Sequence, residues 1–128
     1  VVFLPRMPAP EFLNLIALAD VMLDTVHFNG MNTSLEAFSV GTPVVTLPGE
    51  FQRGRHTQAM YHRMGLGECV ADSAADYVDI AVRLGTDVAH RDAVRQRILE
   101  RNACLYEDAG VVREFERFFR EAVARRPS

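Results

Sequence analysis

Gly30, Asn32, Thr33, Ser34 and Glu36 fall within a span of seven residues, in the stretch His27-Phe28-Asn29-Gly30-Met31-Asn32-Thr33-Ser34-Leu35-Glu36-Ala37, and their types suit the holding of an anion. A glycine lets loop backbone approach a ligand closely. A helix beginning near Asn32 would present free N–H groups and the positive end of its dipole to the same point. Glu36 lies about one turn inside that helix, where its carboxylate could reach a hydroxyl such as that of a ribose. A competing reading uses the same residues. Thr33-Ser34-Leu35-Glu36 matches the S/T-x-x-E capping box, in which the threonine hydroxyl and the glutamate satisfy orphan backbone N–H groups and bind nothing. No GxxxxGK[ST] or GxGxxG pattern supports the anion site. Its position does, because the loop follows an apolar strand candidate, and open α/β sheets hold ligands at the carboxyl ends of their strands.

Other reactive side chains are sparse. Cys69 and Cys104 are far apart, without CxxC spacing, and read as two reduced thiols of a cytoplasmic protein. His56 and His62 have no ligand-type partner at helical spacing, so no metal and no other cofactor is expected. The basic residues are all Arg, which excludes lysine chemistry within the segment. Net charge is −3, and the arginines are dispersed, so nucleic acid is not an expected partner. No apolar run approaches the ~18 residues of a membrane span and no signal-peptide pattern is present, so no membrane association is expected.

The elements that must position the loop follow from patterning. The 128 residues, 48% of them hydrophobic, suffice for a packed core and read as a single unit over 1–128. Val1-Val2-Phe3-Leu4 is a first strand candidate, and its abrupt beginning suggests a chain entered within a domain. Glu11 to Ala19 has helical spacing, Val21 to Asp24 reads as a strand, Asn32 to Val40 as a helix closed by Gly41, and Pro43 to Leu47 as a strand. A helix over Arg55 to Met64 is stopped by Gly65-Leu66-Gly67, and Glu68 to Ala71 is a fourth short strand. A helix capped by Asp72 or Ser73 runs to Leu84, where Gly85-Thr86 breaks it, and another covers Ala89 to Leu105. The last, Gly110 to Arg125, sets Val111, Val112, Phe115, Phe118, Phe119, Ala122 and Val123 on one face, expected to pack in the core or against a further domain. Arg125 to Ser128 reads as a frayed end. Apolar strands alternating with short helices predict an α/β fold: a Rossmann-like parallel sheet covered by flanking helices.

Ala19-Asp20-Val21-Met22-Leu23-Asp24, the loop Phe28 to Ser34, Glu36-Ala37, and the run from Gly41 through Pro48-Gly49-Glu50 to Arg55 together resemble the catalytic region of the O-linked N-acetylglucosamine transferase family, with its SPINDLY-like and bacterial members. The resemblance is strong over about residues 1–70 and looser beyond. It implies a GT-B glycosyltransferase, two Rossmann-like domains facing across a cleft, with this chain the nucleotide-sugar-binding later part of the C-terminal one. It implies inverting transfer of a sugar, N-acetylglucosamine from UDP, to protein Ser or Thr hydroxyls, without a metal. Gly30, Asn32, Thr33 and Ser34 would cradle the donor diphosphate and Glu36 would bind the ribose; relatives often carry Thr at the Asn32 position, and some carry Asp at the Glu36 position. His27 is a further implied donor contact, or an ordinary loop histidine. Arg55 is implied either at the diphosphate or in a structural salt bridge, and Phe12 occupies the position where some relatives stack a histidine on uracil. The lysine that holds the diphosphate and any general base are expected upstream of Val1, in a preceding catalytic domain of the same polypeptide. Helical (TPR) repeats that recruit protein acceptors in relatives would also lie outside the segment, and the segment alone is expected to be inactive. The alternatives are another GT-B transferase, a UDP-sugar epimerase, or a non-catalytic binding or scaffold module.

Overall fold

The computed structural model describes residues 1–125; Arg126 to Ser128, in the stretch read as a frayed end, lie outside the described residues. The order is α1 (Ala9–Leu18), β1 (Met22–Leu23), α2 (Asn32–Ser39), β2 (Val44–Val45), a 3-10 turn (Gln52–Gly54), α3 (His56–Met64), α4 (Ala74–Thr86), α5 (Val88–Arg101), a second 3-10 turn (Asn102–Leu105) and α6 (Ala109–Ala124). β1 and β2 are parallel, with Met22 opposite Val44 and Leu23 opposite Val45. A parallel bridge between Thr46 and Val70 carries the layer one step further. The α/β class and the parallel pairing therefore stand as expected.

The layer is narrower than patterning alone suggests. Glu68 to Ala71 contributes only the bridge at Val70, and Val1 to Leu4 forms no strand, with Val1, Val2 and Phe3 largely exposed. A strand exists through its ladder partners, so apolar, β-branched composition cannot create one where no edge receives it. Beside β2 a side chain does part of a strand's work: the Val44 N–H donates to the Tyr61 hydroxyl at 2.9 Å. The next N–H along, that of Thr46, donates to the Cys69 carbonyl at 3.0 Å.

Val44, Val45, Phe38, Tyr61, Leu84, Val94 and Ile98 form the fully buried centre. Phe38 and Tyr61 meet edge to face at 4.8 Å, the orientation the ring quadrupoles favour. Side chains of α5 and the turn after it lock the other helices by their carboxyl ends. Arg95 donates to the carbonyls of Ala17, Ala19 and Val40, Arg101 to those of Met64 and Gly65, and Asn102 to that of Phe38. These carbonyls lie at or just beyond helix ends, where the regular ladder stops, and a cation there also faces the negative end of the dipole. α3 stops at Gly65, whose φ of 67° is left-handed, with Leu66 N–H closing back onto the Tyr61 carbonyl at 2.9 Å. Ser73 caps α4 by accepting from the Asp76 N–H at 3.1 Å.

Three expectations about the helices are also corrected. α4 runs through Gly85 to Thr86, because an isolated glycine weakens a helix without terminating it. α5 ends at Arg101, and the chain tightens into a 3-10 turn to Leu105. α6 does not pack into the core: it has no buried residue, and Phe115, Phe118 and Phe119 are 58%, 62% and 60% exposed. Its start is tied down by the Arg63–Asp108 ion pair, and beyond it the three rings lie chiefly against one another.

Candidate functional site

Past β1 the chain reaches Asp24, whose carboxylate is buried and fully engaged. One oxygen accepts the Gly30 N–H at 2.9 Å and the other accepts the Thr46 hydroxyl at 2.9 Å. The Asp24 carbonyl accepts the Tyr77 hydroxyl of α4 at 2.9 Å. Asn29, also buried, donates its N–H to the Arg53 carbonyl at 2.7 Å and its side-chain amide to the Thr25 carbonyl at 2.9 Å; its own Oδ1 has no partner among the described residues. The carbonyl of Gly30 accepts the Ser34 hydroxyl at 2.9 Å, with the Thr57 hydroxyl 3.5 Å away. Gly30 is thus held on both its N–H and its C=O. A Cβ there would collide with the Thr33 hydroxyl, which explains glycine at this position without any unusual φ.

α2 starts without a cap. Its N-cap residue is Met31, which supplies no side-chain acceptor, and the first backbone bond runs from the Leu35 N–H to the Met31 carbonyl at 3.1 Å. Among the described residues the amides of Asn32, Thr33 and Ser34 have no protein acceptors. α3 begins in the same way, its first bond running from the Ala59 N–H to the Arg55 carbonyl. The Ser34 and Thr57 hydroxyls are 2.9 Å apart, so the two helix starts adjoin. Each carries the equivalent of about half a positive charge, and an anion offsets their mutual repulsion.

The capping box does not form. Thr33 is the second helical residue, not the N-cap, and the Glu36 carboxylate makes no hydrogen bond or ion pair among the described residues. Glu36 is half-buried and Asn32 is exposed. Ser34 is fully buried and its hydroxyl serves the loop, so what it can offer a ligand is its main-chain N–H.

The remaining sequence candidates are scattered. His27 is exposed and lines a cleft of about 250 Å³ with Val26, Glu50, Phe51 and Arg53, on the same carboxyl edge of the layer as the loop. Arg53 lies over the Phe51 ring at 4.6 Å. Arg55 is exposed at the joint between the 3-10 turn and α3, and forms no ion pair among the described residues. Phe12 is half-buried against the core and lines a separate apolar depression with Leu15, Leu18 and Met22; no residue of the loop borders it. Sequence reasoning missed Asp24, Thr57 and Tyr77. Asp24 carried a signal, an acid ending an apolar strand just before a glycine loop. Thr57 and Tyr77 brace the loop and the end of β1 from behind, from separate elements, 23 residues from Ser34 and 53 from Asp24.

Both cysteines are free thiols. Burial pushes the Cys69 thiol up to about 12, which rules it out as a nucleophile at neutral pH. Among the described residues no three His, Cys, Asp or Glu side chains gather as a metal site, and no helix is long and apolar enough to cross a membrane.

A parallel layer with flanking helices and a glycine loop feeding an uncapped helix start is a Rossmann-like arrangement, and the chain superposes on a mutant of the Thermobaculum terrenum O-GlcNAc transferase with a TM-score of 0.79. The match has 35% identity and covers 90% of this chain and 22% of that one. The fold is accordingly that of part of a GT-B glycosyltransferase. The model of glycosyl transferase family 41 matches residues 1–108, and the chain belongs to that family. Among its relatives, the UDP-N-acetylglucosamine–peptide N-acetylglucosaminyltransferase of Caenorhabditis elegans is 42% identical over 81 residues, 63% of this chain and 7% of the enzyme. The enzyme of the same name from Giardia intestinalis is 30% identical over 107 residues, 83% of this chain and 7% of its own length. The probable SPINDLY enzyme of Hordeum vulgare is 29% identical over 90 residues, 70% of this chain and 10% of its own. The chain thus spans a tenth or less of these curated relatives, and α6 lies beyond the family match.

Proposed function

We propose that this chain is the nucleotide-sugar-binding part of the C-terminal domain of an inverting transferase that moves N-acetylglucosamine from UDP to protein Ser or Thr hydroxyls in the cytoplasm. The observation that carries the reading is the uncapped start of α2: three amides without acceptors among the described residues, one turn from a Glu36 carboxylate that has no partner among them either. The amides of Asn32, Thr33 and Ser34 receive the diphosphate, with Gly30 allowing its close approach, and Glu36 accepts from the ribose hydroxyls. As the bond to the sugar breaks, negative charge grows on UDP. The adjoining starts of α2 and α3 meet that charge with fixed dipoles, and the proposal includes no metal. His27 and Arg53, at the rim of the neighbouring cleft, add positive or donor groups on the same edge. The diphosphate lysine lies outside this sequence, which contains none, and in this reading a preceding catalytic domain supplies it together with the general base and the surface that receives the acceptor protein. The names of the worm and Giardia relatives support the donor and the peptide acceptor.

Glu36→Gln in the intact protein tests the assignment. The carboxylate is not engaged in capping, so the unfolding midpoint stays within about 2 °C, whereas loss of a charged hydrogen bond weakens UDP binding about ten-fold or more. Calorimetric titration with UDP reads the difference. Unchanged affinity in the Gln variant would remove Glu36 from the site, and absence of UDP binding by the parent protein would remove the function.

A further inference from the structure

We infer that Asp24 is a positioning residue for the donor site: its buried carboxylate fixes Gly30, and through Gly30 the geometry of the loop that leads into α2. The inference rests on the UDP-binding reading above. Asp24 lies six residues before Gly30, outside the glycine loop, and the structure makes it a junction of four elements. Its N–H donates to Val45 of β2, its two carboxylate oxygens take the Gly30 N–H and the Thr46 hydroxyl, and its carbonyl takes the Tyr77 hydroxyl of α4.

The direction of these bonds matters. A loop that binds anions must turn N–H groups outward, yet the Gly30 N–H points inward, to a carboxylate. That one inward amide ties the loop to the end of the sheet. The Gly30 carbonyl, pulled the other way by the hydroxyl of Ser34, fixes the orientation of the peptide that follows. With the planes on either side of Gly30 set, Met31 and the free amides of Asn32 to Ser34 have their direction determined before any ligand arrives. Asp24 itself, 5% exposed and with both oxygens occupied, has no route to the ligand. It acts through Gly30 alone.

The test uses the intact protein and UDP, with Asp24→Ala, Asp24→Asn and Tyr77→Phe as variants. Asn preserves an acceptor for Gly30 and a polar partner for Thr46, so its UDP affinity stays within about threefold of the parent. Ala removes the tie, and affinity falls about ten-fold or more, measured at a temperature where circular dichroism shows the variant folded. Tyr77→Phe removes a hydrogen bond to the same residue's carbonyl and leaves the carboxylate in place; it lowers the unfolding midpoint while affinity stays within about twofold. A merely structural role predicts instead that affinity follows stability across all three variants. If Asp24→Ala binds UDP within twofold of the parent while Glu36→Gln loses affinity, the positioning role is wrong and the site stands. If the parent binds no UDP, the underlying reading fails first. Should Asp24→Ala not fold, hydrogen exchange at Gly30 in the ligand-free parent decides. Protection of that amide before UDP is added is the expected result, and exchange as fast as in an unstructured peptide would overturn the inference.

Discussion

Replacing Ser34 by Ala separates a hydroxyl that holds the loop from one that holds a ligand. Ser34 and Thr57 are both fully buried, 2.9 Å apart, and the Ser34 hydroxyl is 2.9 Å from the Gly30 carbonyl it donates to. Alanine deletes that bond and leaves Gly30 with only the Thr57 hydroxyl, at 3.5 Å, the outer limit of a hydrogen bond. The cost is one buried hydrogen bond and part of a second, about 1–2 kcal/mol. For a chain of this length the unfolding entropy makes each kcal/mol worth about 4 °C, so thermal unfolding followed by circular dichroism shifts down by about 4–8 °C. Thr57→Val leaves the Ser34–Gly30 bond in place and costs about 1 kcal/mol. The double variant, with no hydroxyl left unpaired, costs less than the sum of the two by about 0.5–1 kcal/mol. UDP affinity of the intact Ser34→Ala protein falls by less than about ten-fold, because the main-chain N–H remains, Asp24 still holds the Gly30 N–H and the Thr57 hydroxyl still faces the Gly30 carbonyl. The reasoning is refuted if Ser34→Ala melts within 1 °C of the parent. It is equally refuted if affinity falls more than ten-fold at unchanged stability, which would place the hydroxyl on the ligand.

Alkaline pH should weaken the fold in a defined window. Burial raises the Cys69 thiol from its ordinary value of 9.0 to about 12 and also raises the Tyr61 phenol, so in the folded chain both stay protonated where the unfolded chain ionises them. Their contribution is complete below pH 9 and is lost as pH rises from 9 towards 12, with a slope approaching about 1.4 kcal/mol per pH unit for each ionising group. Urea unfolding between pH 7 and 10.5 reads this. Cys69→Ala flattens the part that begins near pH 9, and a midpoint constant to pH 10.5 in the parent would contradict it. Phe118→Ser changes the unfolding free energy of the chain by less than about 0.5 kcal/mol, whereas Phe38→Ala costs about 3–5 kcal/mol. Similar losses in both would show that α6 packs against the body of the chain.

The helix start at Asn32 and the glycine ahead of it were legible because they are local: small residues, a loop and an apolar run follow in order. The competing capping box was equally legible and did not form. Its spacing is satisfied by Thr33 and Glu36, but a cap depends on where the helix begins. It begins at Asn32, with Met31 as N-cap, which carries Thr33 one residue past the first helical position. The Asp24–Thr46, Ser34–Thr57 and Asp24–Tyr77 contacts were not legible, since each joins separate elements whose side chains meet only after packing. The pattern of α6 showed that one face is apolar, and patterning cannot say what lies opposite.

By itself, then, the sequence determined the α/β alternation, the glycine loop before a helix N-terminus, the absence of lysine chemistry and the family resemblance, because propensity, turn residues and motif spacing act over a few residues. Tertiary structure decided which of those residues are free. It engaged the Ser34 hydroxyl and the Asp24 carboxylate, left the Glu36 carboxylate and the first amides of α2 without partners among the described residues, set Phe12 apart from the loop, and kept α6 outside the core. Whether a donor or acceptor is free depends on what packing brings within 3 Å of it, and the contacts that settled this at the loop came from Thr46 just after β2, from α3 and from α4.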